Sequence, residues 1–192
     1  HMVVDVGGGT TDMAVISLGA EVVSDSLQVA GDHMDEAIAR YLRRHKGLLV
    51  GERTAEDVKL AVGFADPESA EKAGLTVEAR GRDAVHGMPR TVTLTSREAA
   101  EALAEPVSAI VEGVHRVLER TPPELAADIY ERGLVLTGGG ALLRGLDRVL
   151  ARHTGLPVHV ADDPITCVAR GTGRVLDRLS DHRPVPLVRR FA

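Results

Sequence analysis

Two glycine runs, Gly7-Gly8-Gly9 and Gly138-Gly139-Gly140, constrain this chain more than any other feature. The first lies between a short apolar strand, Val3-Val4-Asp5-Val6, and a second strand read from Met13 to Leu18. The second follows a strand of buried character, Leu134 to Thr137, and is read as passing directly into a helix from Leu142 to His153. Consecutive glycines let backbone N–H groups converge on an anion at a range that Cβ atoms would block. The hydroxyls of Thr10 and Thr11 add donors. Asp5 would repel a bare phosphate, and it makes chemical sense where a divalent cation or its water shell lies between the two. At the second run, free N–H groups and a helix dipole suit the phosphate or ribose region of a nucleotide. Either run alone reads equally well as a ligand-free turn. Two of them at strand ends of one sheet point together to a ligand, because ligands of α/β sheets sit at strand ends.

The patterning between the runs is mixed. A third strand, Glu21 to Val29, completes a meander. Gly31-Asp32 opens a helix with Met34, Ile38 and Leu42 on one face, Asp32 as its N-cap, Asp35 three residues on, and an end near His45. A second helix is read from Thr54 to Val62, with Glu56 and Asp57 in its first turn. Gly63 to Gly74 shows no period. Leu75–Arg80 and Pro89–Leu94 read as a hairpin. Thr95 and Glu98 form a capping-box signature ahead of a long apolar face from Ala99 to Val117, which Pro106 is expected to kink or break. Thr121 is read as the cap of a short helix with proline at its first position. Strand, helix, strand, helix then follow to about Leu179, implying parallel pairing and an α/β second half.

Composition excludes several function classes. The net charge is −5, 2% of residues are aromatic and Trp is absent, so nothing favours gripping or stacking on nucleic acid. No apolar run is long enough to span a bilayer. Cys167 is the single cysteine, which leaves no intrachain disulfide and suggests a reducing, cytoplasmic setting. His33, His45, His86, His115, His153, His159 and His182 lack zinc-type spacing and read as surface groups. Asp162-Asp163 before Pro164 fits helix capping, and no Gly-x-Ser-x-Gly occurs. Basic residues are 20 Arg against 3 Lys, a skew attributed to coding bias. His1-Met2 reads as a cloning remnant followed by a start residue.

Asp5 to Asp12 resembles the second phosphate motif of the actin, sugar kinase and DnaK-type chaperone superfamily, and Leu136 to Gly145 resembles its adenosine motif. Within that superfamily the chain is most similar to the bacterial actin MreB/Mbl family. The residues that carry the likeness are Asp5-Val6-Gly7-Gly8-Gly9-Thr10-Thr11-Asp12, Ala14-Val15-Ile16-Ser17-Leu18, Gly31-Asp32-His33-Met34-Asp35-Glu36-Ala37-Ile38, Gly51-Glu52-Arg53-Thr54-Ala55-Glu56, Thr121-Pro122-Pro123-Glu124-Leu125 and Leu136 to Leu146. It covers nearly the whole chain.

The resemblance implies an α/β, ribonuclease H-like half of an actin-like ATPase, a mixed sheet with flanking helices and a small inserted subdomain. It implies a larger subdomain from 2–31 and 95–192, and a smaller one from 32–94. By position it implies that Gly7, Gly8, Gly9, Thr10 and Thr11 meet the phosphates of ATP or ADP and that Asp5 places Mg2+ through water. Glu56 and Lys59 would bracket the adenosine, the former accepting from a ribose hydroxyl, and Gly138, Gly139, Gly140 and Ala141 would lie against the nucleoside. Read without the likeness, Glu56 and Lys59 are an exposed ion pair three apart on a helix.

Members of this family begin with another actin-like half that holds the first phosphate loop and the membrane-binding segment. The chain is therefore expected to carry one wall of the cleft and no hydrolysis alone, with weak ATPase activity confined to an intact parent. The implied role is protofilament formation at the inner face of the membrane, with self-association, the missing half or other MreB-like chains, and cell-wall synthesis and morphogenesis proteins as partners. A superfamily ATPase or phosphotransferase, and a short nucleotide-free interaction module, stand as alternatives.

Overall fold

The computed structural model describes residues 1–180, with side-chain environments through Arg178. The Arg- and Pro-bearing tail, with His182, lies outside the described residues.

Five strands form the larger sheet in the order β3-β2-β1-β7-β8. β1 (Met2–Val6) turns Met2, Val4 and Val6 into the core, and β2 (Thr11–Ser17) does the same with Thr11, Met13 and Val15, the period-two signature of strands with one buried face. β2 and β3 (Ala20–Leu27) join through Leu18-Gly19, both at positive φ, which is the two-residue hairpin geometry that matches strand twist. β1 pairs in parallel with β7 (Leu134–Thr137), and β7 in parallel with β8 (Val158–Val160). The parallel half follows from the strand-helix alternation of the second half of the chain. Because Asp5 is in register with Thr137, the two glycine runs leave adjacent strands side by side.

β3 leads into α1 (Gly31–Lys46), then a two-residue strand β4 (Leu48–Leu49), α2 (Glu52–Val62) and α3 (Pro67–Ala73). β5 (Thr76–Asp83) and β6 (Pro89–Thr95) pair as a hairpin and complete a second, antiparallel sheet in the order β4-β5-β6. α4 (Ser96–Glu119) runs back along the larger sheet, followed by α5 (Pro123–Arg132), α6 (Leu146–Thr154) and α7 (Cys167–Ser180). One continuous buried cluster includes Val4, Met13, Leu48, Leu94, Leu103 and Leu136 and so joins both sheets.

Four local expectations are corrected. Pro106 does not break α4, which runs unbroken for 24 residues. A mid-helix proline costs about 3 kcal/mol. Leu103, Val107, Ile110 and Val114 are buried on both sides of it, at roughly 1.5–3 kcal/mol each, so packing outweighs the lost hydrogen bond. Thr121 does not cap α5. Its hydroxyl donates back to the Val117 carbonyl at 2.7 Å, closing the end of α4, and Pro122 holds the N-cap position. α3 lies in the stretch read as aperiodic, and its signal is capping rather than period: Asp66 accepts from the Ser69 amide at 2.8 Å and Pro67 occupies the first turn. His33 is not a plain surface group, since its Nδ1 is buried without a partner.

The capping box at Thr95 is present in full. The Thr95 hydroxyl accepts from the Glu98 amide at 3.2 Å, and the Glu98 carboxylate accepts from the Thr95 amide at 2.9 Å. Replacing Thr95 with Ala is expected to lower unfolding free energy by about 1 kcal/mol, read as a reduced urea midpoint at unchanged slope.

Candidate functional site

The first glycine loop is held from both ends. The Gly7 amide donates to the Thr10 carbonyl at 2.9 Å, and the carbonyls of Gly7 and Gly8 accept from the Gly31 and Asp32 amides at 3.1 and 2.8 Å. This arrangement corrects the reading of Asp32 as N-cap. Ala30 occupies that position with no side-chain cap, because the loop's own carbonyls take first-turn donors that would otherwise be orphaned. The Asp32 carboxylate instead faces the loop, 3.4 Å from where a Cβ on Gly8 would stand.

Among the described residues, the N–H groups of Gly8 and Gly9 have no backbone acceptor, and both residues are exposed. The threonine hydroxyls are committed as donors within the chain. Thr10 donates to Asp12 at 3.0 Å, and Thr11, fully buried, donates to the Val29 carbonyl at 2.7 Å. What the loop can offer an anion is therefore chiefly backbone.

The second loop packs onto the end of β1. Gly138 has φ +82°, and a Cβ there would lie 2.3 Å from the Val6 carbonyl oxygen and 2.4 Å from Asp5 Oδ1. A Cβ on Gly140 would lie 2.2 Å from Val6 Cγ1, whereas one on Gly139 would meet nothing within 4 Å. The loop does not enter a helix directly, as the sequence reading had it. It forms a 3₁₀ turn over Gly139–Leu142, and α6 begins only at Leu146 after Gly145 at φ +82°. Gly139 and Gly140 of that short turn line the cavity described below, and no residue of α6 does. Ala141 is buried behind them.

Both loops open onto one cavity of about 530 Å³. Of the residues singled out from sequence, Gly7, Gly8, Glu56, Lys59, Gly139 and Gly140 line it. Asp5, Gly9, Thr10, Thr11, Gly138 and Ala141 are not among its lining residues. Met34, Leu60, Leu142, Leu143 and Ile165 supply an apolar wall that was not foreseen, and Asp32, Asp35 and Arg144 are polar lining residues missed as ligands. Asp35 and Arg144 stand inside stretches already marked by the helix start and the second glycine motif. Leu60 and Ile165 carry no sequence signal that separates them from ordinary surface residues.

The cations of this site are spent within the chain. Lys59 does not pair with Glu56: its Nζ donates to Asp35 Oδ2 at 2.9 Å and to the Gly31 carbonyl at 3.1 Å. Burial pushes the Asp35 carboxyl above the ordinary carboxylate range, against the pull of the Lys59 hydrogen bond and charge, and its Oδ1 is buried without a partner. Arg144 Nη1 donates to the Ala61 and Gly63 carbonyls at 3.1 and 3.4 Å, with the guanidinium 5.4 Å from the Phe64 ring. Among the described residues no group of three or more His, Cys, Asp or Glu side chains is placed to hold a metal ion. A lone carboxylate such as Asp5, at the junction of the two loops, suits an ion that keeps most of its water shell.

The chain is similar in sequence and fold to known proteins. Residues 1–184 match the family model described as MreB/Mbl protein. The cell shape-determining protein Mbl of Bacillus subtilis is 53% identical over 179 residues, covering 93% of this chain and 53% of that protein. The cell shape-determining protein MreB of Escherichia coli is 55% identical over 181 residues, covering 94% and 51%. The structure of MreB5 of Spiroplasma citri bound to AMPPNP superposes with a TM-score of 0.88 at 38% identity, over 95% of this chain and 54% of that one. A MamK double helical filament superposes with a TM-score of 0.73 at 25% identity, over 92% and 54%. The chain thus spans about half the length of the curated relatives it matches.

Gly138 and Gly139 separate the loop's two duties. Gly138→Ala is expected to destabilise by roughly 2 kcal/mol or more, through both positive φ and collision with Val6, whereas Gly139→Ala should stay within about 0.5 kcal/mol of the parent. Paired urea unfolding curves read both.

Proposed function

The chain belongs to the MreB/Mbl family of actin-like, cell shape-determining proteins, and on that premise we propose that its cavity is one wall of an adenine-nucleotide site. The observation that carries the reading is the convergence of two glycine loops from adjacent parallel strands on a single cavity of about 530 Å³, within the usual range of ligand pockets. That MreB5 of Spiroplasma citri has been solved with AMPPNP and with ADP supports the choice of ligand.

In this reading the free amides of Gly8 and Gly9, with Thr10, receive the phosphates. The 3₁₀ turn from Gly139, with Gly138, Gly140 and Ala141 behind it, lies against the nucleoside. Glu56, exposed on α2, accepts from a ribose hydroxyl, and the Lys59 stem packs beneath the sugar. Asp5 would hold Mg2+ through water, and the ion would supply positive charge that the committed side chains do not. The proposed division assigns the larger sheet to the subdomain of 2–31 and 95–192 and the smaller sheet to that of 32–94, a reading the two separate sheets support.

The proposed cellular role is that of the family's full-length members: nucleotide-dependent protofilaments at the inner face of the membrane, supporting cell shape and wall synthesis. Among the described residues no helix is long and apolar enough to cross a membrane. The MamK filament supports self-association as the mode of action. Hydrolysis needs an oriented water and charge stabilisation from both sides of the phosphates, so this chain alone binds without sustained turnover.

Titration with a fluorescent ATP analogue and Mg2+ tests the reading. Saturable binding displaced by unlabelled ATP is expected, weakened about tenfold by Gly139→Ala, equivalent to about 1.4 kcal/mol, at unchanged fold stability. Absence of displaceable binding at millimolar analogue would overturn it. Steady Mg2+-dependent phosphate release that is lost on Asp5→Ala would instead make the chain an ATPase in its own right.

A further inference from the structure

The nucleotide reading leaves Asp35 without a role. It is 8% exposed, it lines the cavity, and one carboxylate oxygen is buried with no partner. An unsatisfied buried polar atom is costly, and well-packed apolar residues in place of a buried ion pair are often neutral or stabilising. Fold stability is thus a poor reason for this pair to stand here. Direct contact with the phosphates is a poor one too, because a carboxylate repels them.

What Asp35 does hold is Lys59. The ammonium bridges Asp35 Oδ2 and the Gly31 carbonyl, and the Gly31 amide in turn donates to the Gly7 carbonyl of the first glycine loop. Lys59 sits on α2 three residues after Glu56, so the two share a helix face. The second tie on this helix is at its far end, where Arg144 reaches the Ala61 and Gly63 carbonyls. Lys59 is a long, rotamer-rich side chain, and two acceptors on α1 restrain it. The connection runs unbroken from the phosphate loop through Gly31 to the face of α2 that carries Glu56 and Leu60.

Resting on the nucleotide reading, we propose that Asp35 is a positioning residue: its carboxylate keeps the Lys59 ammonium on the Gly31 carbonyl and thereby sets the pocket face of α2 relative to the first glycine loop. The nucleoside contacts and the phosphate contacts then stand at a fixed spacing. Lys59 serves this spacing with its charge and the pocket with its stem.

The test uses the full chain and four variants, Asp35→Asn, Asp35→Glu, Lys59→Met and the double Asp35→Leu/Lys59→Met. Each is read by titration with the fluorescent ATP analogue and Mg2+, by urea midpoint, and by amide hydrogen exchange across residues 52–62. Asp35→Asn is expected to weaken the analogue roughly tenfold, the order set by exchanging an ion-paired hydrogen bond for one to a neutral acceptor, and to speed exchange around Glu56–Leu60. Asp35→Glu should recover part of the affinity. The apolar double variant should match or exceed the parent's urea midpoint without regaining affinity, a split that a purely structural pair would not produce.

Affinity for Asp35→Asn equal to or tighter than the parent's would overturn the proposal, since a Lys59 released toward the phosphates would then be the better ligand. Lost affinity with unchanged exchange in α2 would overturn it as well, by making Asp35 a direct contact. If the parent itself fails to bind the analogue, the nucleotide reading falls, and the exchange comparison still decides whether Asp35 sets α2.

Discussion

The parallel pairing of β1 with β7 is the constraint on which the rest of this structure depends. With Asp5 opposite Thr137, the chain leaves the sheet twice at the same edge, once after Val6 and once after Thr137. The pairing extends into the loops themselves, because Gly138 and Gly140 lie so close to the end of β1 that any side chain there would collide with Val6. Neither loop can be moved without moving the other. A cavity shared by the two is thus a consequence of strand register, and a slip of one residue would turn the buried face of β7 outward as well.

The second consequence concerns charge. Lys59 and Arg144 are tied to backbone carbonyls, and Lys59 also to Asp35, while Asp32, Asp35 and Glu56 line the same cavity. An anion entering this wall meets amides before it meets cations. Backbone donors need no ordering when the ligand arrives, and they keep their geometry only while the loop keeps its own. The clasp of Gly7 and Gly8 by the first turn of α1 keeps that geometry, and it also removes any need for a capping side chain.

Much of this was legible in the sequence because it rests on glycine. Gly7, Gly138 and Gly140 mark positions where the backbone comes too close to its neighbours for a side chain, and such positions are written into the chain directly. The capping box at Thr95 and the β5–β6 hairpin were legible for the same kind of reason, being local. The misses depend on tertiary contacts. Asp32 reads as an N-cap until the helix is seen to start at Gly31, with loop carbonyls from 24 residues earlier taking the amides of Gly31 and Asp32. Lys59 reads as the partner of Glu56 until α1 brings Asp35 within 2.9 Å. Pro106 reads as a break until its neighbours are buried. Leu60, Leu142 and Ile165 form a wall only because three separated segments meet around the cavity, and no local pattern distinguishes them from other exposed apolar residues.

The position of α2 sharpens the point about the two sheets. This helix belongs with the smaller sheet through its packing on β5, yet two of its polar ties at the cavity reach outside residues 32–94, Lys59 to the Gly31 carbonyl and Arg144 from the turn after β7. The main-chain link from Ala65 to the Arg144 carbonyl at 2.8 Å adds to the second tie. Rotation of the smaller sheet about the larger would have to break or carry with it the very contacts that shape the cavity wall. The apolar core continues beneath both sheets, and these polar contacts add to it a directional tie between the smaller sheet and the cavity wall.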